Sequence, residues 1–81
     1  MPVIRVDVEY LPGVEDPEAI TILKNLKILG YDTITETRTA KSYEFRIEGK
    51  LEEARSTVDE IASKILTNPV IQKYSLQVVD P

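Results

Sequence analysis

The feature that most constrains the fold is a change in hydrophobic period that occurs in the same order in both halves of the chain. Residues 4–10 alternate between apolar and charged side chains, the period of two that predicts a half-buried strand. Residues 19–29 then carry one apolar stripe at helical spacing. The second half repeats the pattern, with alternation at 43–47, a helical stripe over 51–66 and alternation again at 74–78.

The segment between the two halves completes the expected topology. Residues 33–39 are rich in β-branched residues but alternate weakly, which favours an edge strand, and residues 40–42 are expected to turn the chain into the next strand. The order β-α-β-β-α-β then describes two strand-helix-strand halves, 3–39 and 43–79, in a single domain over 1–81. The sequence therefore predicts a two-layer α+β sandwich of ferredoxin-like order, with a four-stranded, mainly antiparallel sheet and both helices on one face.

Backbone-fixing residues mark the ends of both predicted helices. Asp16 is suited to cap the first helix, and Pro17 is suited to its first position. Gly13 and Asn68 are expected to adopt special backbone conformations, Asn68 as a left-handed cap. The predicted turn and cap positions are Gly13, Asp16, Pro17, Gly30, Asn68 and Pro69.

Composition excludes several classes of function. The chain has 81 residues, no His, no Cys and a net charge of −4, and this charge opposes binding to a nucleic-acid backbone. It contains neither a signal peptide nor an apolar run that could span a membrane, so the cytoplasm is the expected location. A domain of this size buries only about 60–65% of its unfolded surface, so association would stabilise it.

No catalytic constellation can be recognised. Without His or Cys, a nucleophile would need Ser or Thr beside a Lys or a carboxylate, and no such spacing occurs. The carboxylate pairs Asp7/Glu9 and Glu52/Glu53 fall among charged positions expected to face water. The glycines are isolated and form no phosphate-binding loop. We therefore predict no catalytic, cofactor-binding or metal-binding residue in this chain.

Association is the remaining source of function. The uncovered face of the predicted sheet carries charged residues with a few apolar exceptions, and the 33–39 edge is available for strand pairing. We expect at least a homodimer, joined through sheet edges or the open sheet face. The candidate interface residues are Val3, Arg5, Ile28, Arg46 and Val79.

Two known classes share parts of this pattern. An RNA-recognition domain has the same element order, but residues 42–47 lack its small residues and the first strand offers no stacking ring. A small-ligand regulatory domain of the ACT type also has a Pro-Gly-Val-like turn after its first strand, although residues 15–17 intervene here before the helix. The ACT-type domain is the alternative function.

Four segments, in order, resemble the PurS family, the small subunit of phosphoribosylformylglycinamidine synthase. They are Leu-Pro-Gly-Val-x-Asp-Pro at 11–17, Leu29-Gly30-Tyr31, Arg38 with Lys41, and Asn68-Pro69-Val70-Ile71 followed by Tyr74. The similarity covers nearly the whole chain. Ala40 stands where the family usually has Gly, and Leu11 where it often has a basic residue.

This resemblance implies a subunit of a purine-biosynthetic ligase complex, one that forms a homodimer able to pair again into a tetramer. The complex converts formylglycinamide ribonucleotide, glutamine and ATP to formylglycinamidine ribonucleotide, glutamate, ADP and phosphate. The small subunit is expected to bridge a glutaminase subunit and an ATP-dependent synthetase subunit and to aid ammonia transfer, while ATP and Mg²⁺ belong to the synthetase. The isolated chain is expected to be inactive.

Overall fold

The computed structural model describes all 81 residues and contains three strands and two helices. Both helices begin at the residues that the sequence predicts. The elements in chain order are β1 (Val3–Tyr10), α1 (Pro17–Ile28), β2 (Ala40–Arg46), α2 (Leu51–Ile61), a π-helical turn (Ala62–Leu66) that continues α2, and β3 (Gln72–Asp80).

The strands form one antiparallel sheet in the order β2-β1-β3, with β1 in the centre. Val6 of β1 lies opposite Tyr43 on one side and Leu76 on the other, so the apolar positions of all three strands face the same side. The intervening positions point to the opposite face of the sheet, where Arg5 lies between Glu44 of β2 and Gln77 of β3. The alternation in the sequence therefore gives one apolar and one polar face, as expected for a sheet covered on one side.

The core lies between the apolar face of β1 and α2. Three residues of β1 and three of α2 and the π-helical turn form one buried cluster, and each is at most 4% exposed: Ile4, Val6, Val8, Ala54, Val58 and Ala62. Small alanines on α2 bring that helix close to the central strand. Tyr43, Phe45 and Leu76 on the outer strands remain only partly buried beside this cluster, because one helix is too narrow to cover the whole sheet.

The prediction of a four-stranded sheet is wrong. Residues 34–39 belong to no strand, and no backbone hydrogen bond joins any of residues 33–38 to the rest of the chain's backbone. The reason lies in residues 40–42, which contain no Gly, Asn or Pro to reverse the chain. Instead of turning there, the chain enters β2 at Ala40. The sheet consequently has three strands and only α2 packs on it.

Helix α1 extends away from the sheet. None of its residues belongs to the core cluster, although its residue Ala19 is buried. The molecule measures 50 × 26 × 14 Å, and its radius of gyration is 16.2 Å. A compact domain of 81 residues would have a radius of gyration of about 12 Å. We call residues 14–39, which comprise α1 and the extended segment after it, the arm.

Two local expectations also need correction. No residue other than glycine has a positive φ, so Asn68 is not a left-handed cap. Its side-chain oxygen instead accepts a hydrogen bond from the N–H of Val70 at 3.1 Å. Ile65, expected on the buried stripe of the second helix, is 76% exposed. The π-helical turn explains this difference, because its wider turn rotates Ile65 off the stripe that Val58 and Ala62 follow.

Candidate interaction surfaces

The arm is joined to the sheet by a tight turn. Leu11 to Val14 form a β-turn in which the Val14 N–H donates to the Leu11 carbonyl at 3.1 Å. Pro12 occupies the second position and Gly13 the third with φ +83°, the arrangement of a type II turn. The N–H of Leu11 also donates to the carbonyl of Ile71 at 2.9 Å, which ties the turn to the loop before β3. These bonds fix the direction in which the arm leaves the sheet.

Asp16 holds the two ends of the arm together. Its Oδ1 accepts from the Ala19 N–H at 3.1 Å, as an N-cap does, and its Oδ2 accepts from the N–H and hydroxyl of Thr39 at 2.9 and 2.7 Å. Desolvation raises the pKa of Asp16, but the Thr39 hydroxyl and the two backbone N–H groups together outweigh it and leave that pKa below its ordinary value. The carboxylate therefore starts α1 and anchors the far end of the extended segment.

A cleft of about 410 Å³ lies where the arm meets the sheet. Its walls are the turn at 11–16, residues 36–39 of the arm, and charged side chains that include Glu9 and Lys73. Glu9 and Lys73 form an ion pair at 3.3 Å across β1 and β3. Arg38 also lines the cleft and pairs with Glu36 at 3.7 Å on the exposed arm. The cleft is shallow and of mixed charge, without a buried polar group that could orient a small ligand.

Apolar side chains are exposed along the arm. Leu29, on the stripe predicted for α1, is 73% exposed, and Ile22 on the same stripe is also exposed, while Leu23 and Leu26 are half-buried. Ile28, on the opposite side of the helix, is also 73% exposed. The remaining exposed apolar residues of the arm are Ile20 and Tyr31. An amphipathic helix whose apolar stripe remains in water is a surface for association.

The structure separates the interface residues that the sequence singles out. Val3 and Arg5 lie on central strand β1, Arg46 on edge strand β2 and exposed Val79 on edge strand β3, whereas Ile28 lies on the arm. Four of the five residues therefore lie in the same sheet, on three different strands, and the fifth lies apart from them. On the polar face Arg5 donates to the Gln77 side chain and lies 3.4 Å from a carboxylate oxygen of Asp7. On that face, Arg5 therefore already has partners within the same chain.

A second exposed apolar patch follows α2. Ile65 is 76% exposed and Val70, in the loop before β3, is 79% exposed. The sequence reasoning missed both residues as surface candidates, because it assigned Ile65 to a buried stripe. Pro69 indicates the exposure of Val70, because a proline just after a helix prevents its continuation and the residues that follow lie in a loop.

One polar contact links the last strand to α2. The Tyr74 hydroxyl donates to Oδ1 of Asp59 at 2.8 Å. This hydrogen bond, with desolvation and the nearby negative charge, raises the pKa of Tyr74. Tyr74 lines a wide, open depression with Arg55 and Ser56. Its role is to fasten β3 to α2.

The acidic side chains and the glycines are dispersed over the chain. No three acidic side chains lie close enough together to hold a metal. The positive-φ glycines, Gly13, Gly30 and Gly49, lie in three separate turns, whereas a phosphate loop requires them in one. Neither helix has the length and apolar character needed to cross a membrane. Fold and surface together define a small α+β protein that exposes apolar side chains on its arm and after α2.

Comparison with known proteins identifies the family. Residues 3–80 match the family described as PurS, phosphoribosylformylglycinamidine (FGAM) synthase. The chain is 42% identical over 70 residues to the phosphoribosylformylglycinamidine synthase subunit PurS of Archaeoglobus fulgidus, covering 85% of this chain and 88% of that protein. It is 39% identical over 67 residues to the PurS subunit of Methanocaldococcus jannaschii, covering 82% and 81%. The chain belongs to the PurS family, and the resemblance found in the sequence is confirmed.

Solved structures agree with this assignment. The crystal structure of Methanocaldococcus jannaschii PurS, described as one of the subunits of formylglycinamide ribonucleotide amidotransferase in the purine biosynthetic pathway, has a TM-score of 0.89 at 32% identity. The match covers 100% of this chain and 99% of that one. A chain in the structure of PurLQS from Thermotoga maritima matches with a TM-score of 0.82 at 27% identity, over 98% and 100% of the two chains. None of these relatives supports the ACT-type alternative.

Proposed function

We propose that this chain is the non-catalytic bridging subunit of a phosphoribosylformylglycinamidine synthase complex in purine biosynthesis. It joins a glutaminase subunit to an ATP-dependent synthetase subunit in the cytoplasm and aids the transfer of ammonia between them. The observation that carries this proposal is the match over nearly the whole chain to PurS subunits, one of which forms part of the Thermotoga maritima PurLQS structure.

The surface of the chain supports a bridging role. The chain exposes apolar side chains at two separate places, the arm and the patch formed by Ile65 and Val70. Exposed apolar groups in two separate segments give a small protein two places at which it can contact partners. In this proposal ATP and Mg²⁺ bind to the synthetase, and the nucleophile that releases ammonia belongs to the glutaminase.

Reconstitution with a choice of nitrogen donor tests this function. The synthetase and glutaminase from the same source are mixed with and without this chain, and formylglycinamidine ribonucleotide is measured with either glutamine or ammonium chloride as donor. We expect omission of the chain to lower the glutamine-dependent rate by about tenfold or more, because the enzymes lose the high local concentration of ammonia. The ammonium-dependent rate should stay unchanged. A full glutamine-dependent rate without the chain would contradict the bridging role.

The isolated chain provides the accompanying control. We expect no glutaminase, ATPase or ligase activity from it, because it has no activated nucleophile and no phosphate site. Turnover that persists through repurification and disappears in a point variant of this chain would overturn the assignment of chemistry to the partners.

A further inference from the structure

The outer edge of β3 has no partner in this chain. The strand is nine residues long and pairs with β1 along one side only, so the backbone groups on its other side point outward. Charged residues, prolines and bulges usually protect such an edge. Here Lys73 lies near the start of the strand, and the pairing shifts by one residue at Val79, near its end. Residues 74–78 between them contain no charged residue, proline or glycine, so this stretch can accept another strand.

A groove lies beside this edge, between β3 and α2. It is the open depression that Tyr74 shares with Arg55, and its volume is about 560 Å³. A groove between an edge strand and its neighbours suits an extended peptide, because main-chain pairing supplies affinity and the adjoining pockets select alternate side chains. We call it the α2–β3 groove, and its lining residues are Arg55, Ser56, Asp59, Tyr74, Ser75 and Leu76.

Arg55 gives the α2–β3 groove a positive charge that the chain does not neutralise. Asp59 follows Arg55 by one helical turn, the spacing at which opposite charges usually pair. The Asp59 carboxylate instead accepts from the Tyr74 hydroxyl at 2.8 Å, and Arg55, which is exposed, takes part in none of the chain's ion pairs. Because a guanidinium binds a carboxylate through two parallel hydrogen bonds, Arg55 is suited to a carboxylate from another chain.

We propose that the α2–β3 groove is a docking site for an extended protein segment that carries an acidic side chain. The segment pairs with the free edge of β3, its carboxylate binds Arg55, and an apolar side chain two residues away contacts Leu76. Alternate residues of a strand point to the same side, so one such segment presents both side chains to the groove. The segment belongs to an enzyme subunit of the synthase complex, and in this respect the inference rests on the function proposed above.

Two other cations on the same elements already have partners in the chain. Lys73 of β3 pairs with Glu9 at 3.3 Å, and Lys64, which follows α2, pairs with Glu60 at 2.5 Å. A carboxylate that approached either lysine would compete with an existing partner. Arg55 has no such competitor, so an acidic segment that pairs with β3 is expected to place its carboxylate at Arg55.

Binding to the purified synthetase and to the purified glutaminase, measured separately by isothermal titration calorimetry, tests the site. The unaltered chain is compared with Arg55→Gln and with Lys64→Gln, a matched control because the charge of Lys64 is already paired within the chain. We expect Arg55→Gln to raise the Kd for one of the two subunits by about tenfold or more. Lys64→Gln should change that Kd by less than about threefold. Equal effects of the two variants, or no effect of Arg55→Gln on either subunit, would overturn the docking site.

Hydrogen exchange on the unaltered chain tests the strand pairing without any substitution. When the subunit that binds is added in excess, alternate amides of residues 73–79 should become protected, because their outward N–H groups then donate to the added strand. No added protection in β3 would contradict strand addition. Protection of these alternate amides in the chain alone, rising with its concentration, would show that a second copy covers the edge and would also overturn the proposal.

Failure of the docking site and failure of the proposed function give different results. The bridging function fails if the unaltered chain binds neither subunit, or if its omission leaves the glutamine-dependent rate at its full value. The docking site alone fails if the unaltered chain binds and supports that rate while Arg55→Gln binds equally well. The two conclusions can therefore be rejected separately.

Discussion

Replacement of Gly13 measures how much the turn before the arm depends on its backbone conformation. Gly13 has φ +83°, and a Cβ added there would meet no atom within 4 Å. Any loss of stability in Gly13→Ala therefore comes from the backbone rather than from a clash. An L-residue in this region costs about 1–2 kcal/mol, while the loss of glycine's freedom in the unfolded chain returns about 0.4–1 kcal/mol.

The expected net effect of Gly13→Ala is a destabilisation of roughly 1 kcal/mol, the difference between these two terms. For a domain of this size that corresponds to a decrease in Tm of about 4–8 °C. Gly13→Val should cost more, because a β-branched side chain is the least tolerant of positive φ, and Gly13→Asn should cost less. The order of stability is therefore expected to be Gly, Asn, Ala, Val.

Thermal and urea unfolding of the four proteins provide the assay. All four must be compared at one protein concentration, since the Tm of an associating chain depends on concentration. If Gly13→Ala has the same Tm as the parent or a higher one, the residue has ordinary dihedral angles and the type II turn is refuted. If Ala and Val both destabilise but Asn does so most, the cost arises from something other than positive φ.

Three further predictions concern the contacts of the arm and core. The pKa of Asp16 is lowered in the folded chain, from an ordinary value of about 3.8. Its contribution to stability is therefore present above that value and declines as the pH falls toward the folded pKa. Between pH 5 and 3, the urea midpoint of Asp16→Asn should fall less steeply than that of the parent chain. The hydrogen bond to Asp59 raises the pKa of Tyr74, so absorbance titration should detect a tyrosine that ionises above the ordinary tyrosine range, and Tyr74→Phe should remove that step. Val58 is fully buried. Val58→Ala should lower the free energy of unfolding in urea by about 1.5–3 kcal/mol, because it removes two methyl groups and leaves a cavity. A loss below about 0.5 kcal/mol would show that α2 does not cover the core.

Local sequence signals predicted the parts of the fold that depend on neighbouring residues. Asp16 and Pro17 specify where α1 starts because capping and a fixed φ act within one turn of the chain. The alternation in β1 specifies which side of the strand is buried because the pleat repeats every two residues. These signals need no knowledge of distant contacts.

The errors arise where the outcome depends on distant contacts. The apolar stripe of α1 shows that the helix has an apolar side, but not which surface covers it. Residues 33–39 have the composition of a strand, yet strand formation requires a partner edge, and no turn at residues 40–42 brings β2 back alongside them. The carboxylate of Asp16 instead binds the N–H and hydroxyl of Thr39, more than twenty residues away. A propensity cannot reveal such a long-range contact.

The candidate interface was predictable only in part for the same reason. Exposed charges on the polar face follow directly from the period of β1, so Arg5 was placed correctly on an uncovered surface. Ile65 was misplaced because a single π-helical turn changes the phase of the stripe, and nothing in residues 62–66 distinguishes that turn from a continued α-helix.

The small core explains why association belongs to the architecture of this chain. Only 8 of its 81 residues are buried, so one helix on three strands supplies little of the apolar burial that must offset the loss of conformational entropy. Association with another chain through the exposed apolar side chains of the arm would add to that burial. Val70, which is 79% exposed in the loop before β3, is a further exposed apolar position. In the proposed bridging role, Val70→Glu should therefore lower glutamine-dependent turnover of the reconstituted complex and leave ammonium-dependent turnover unchanged. A drop in both rates would show that the substitution damages the complex by another route.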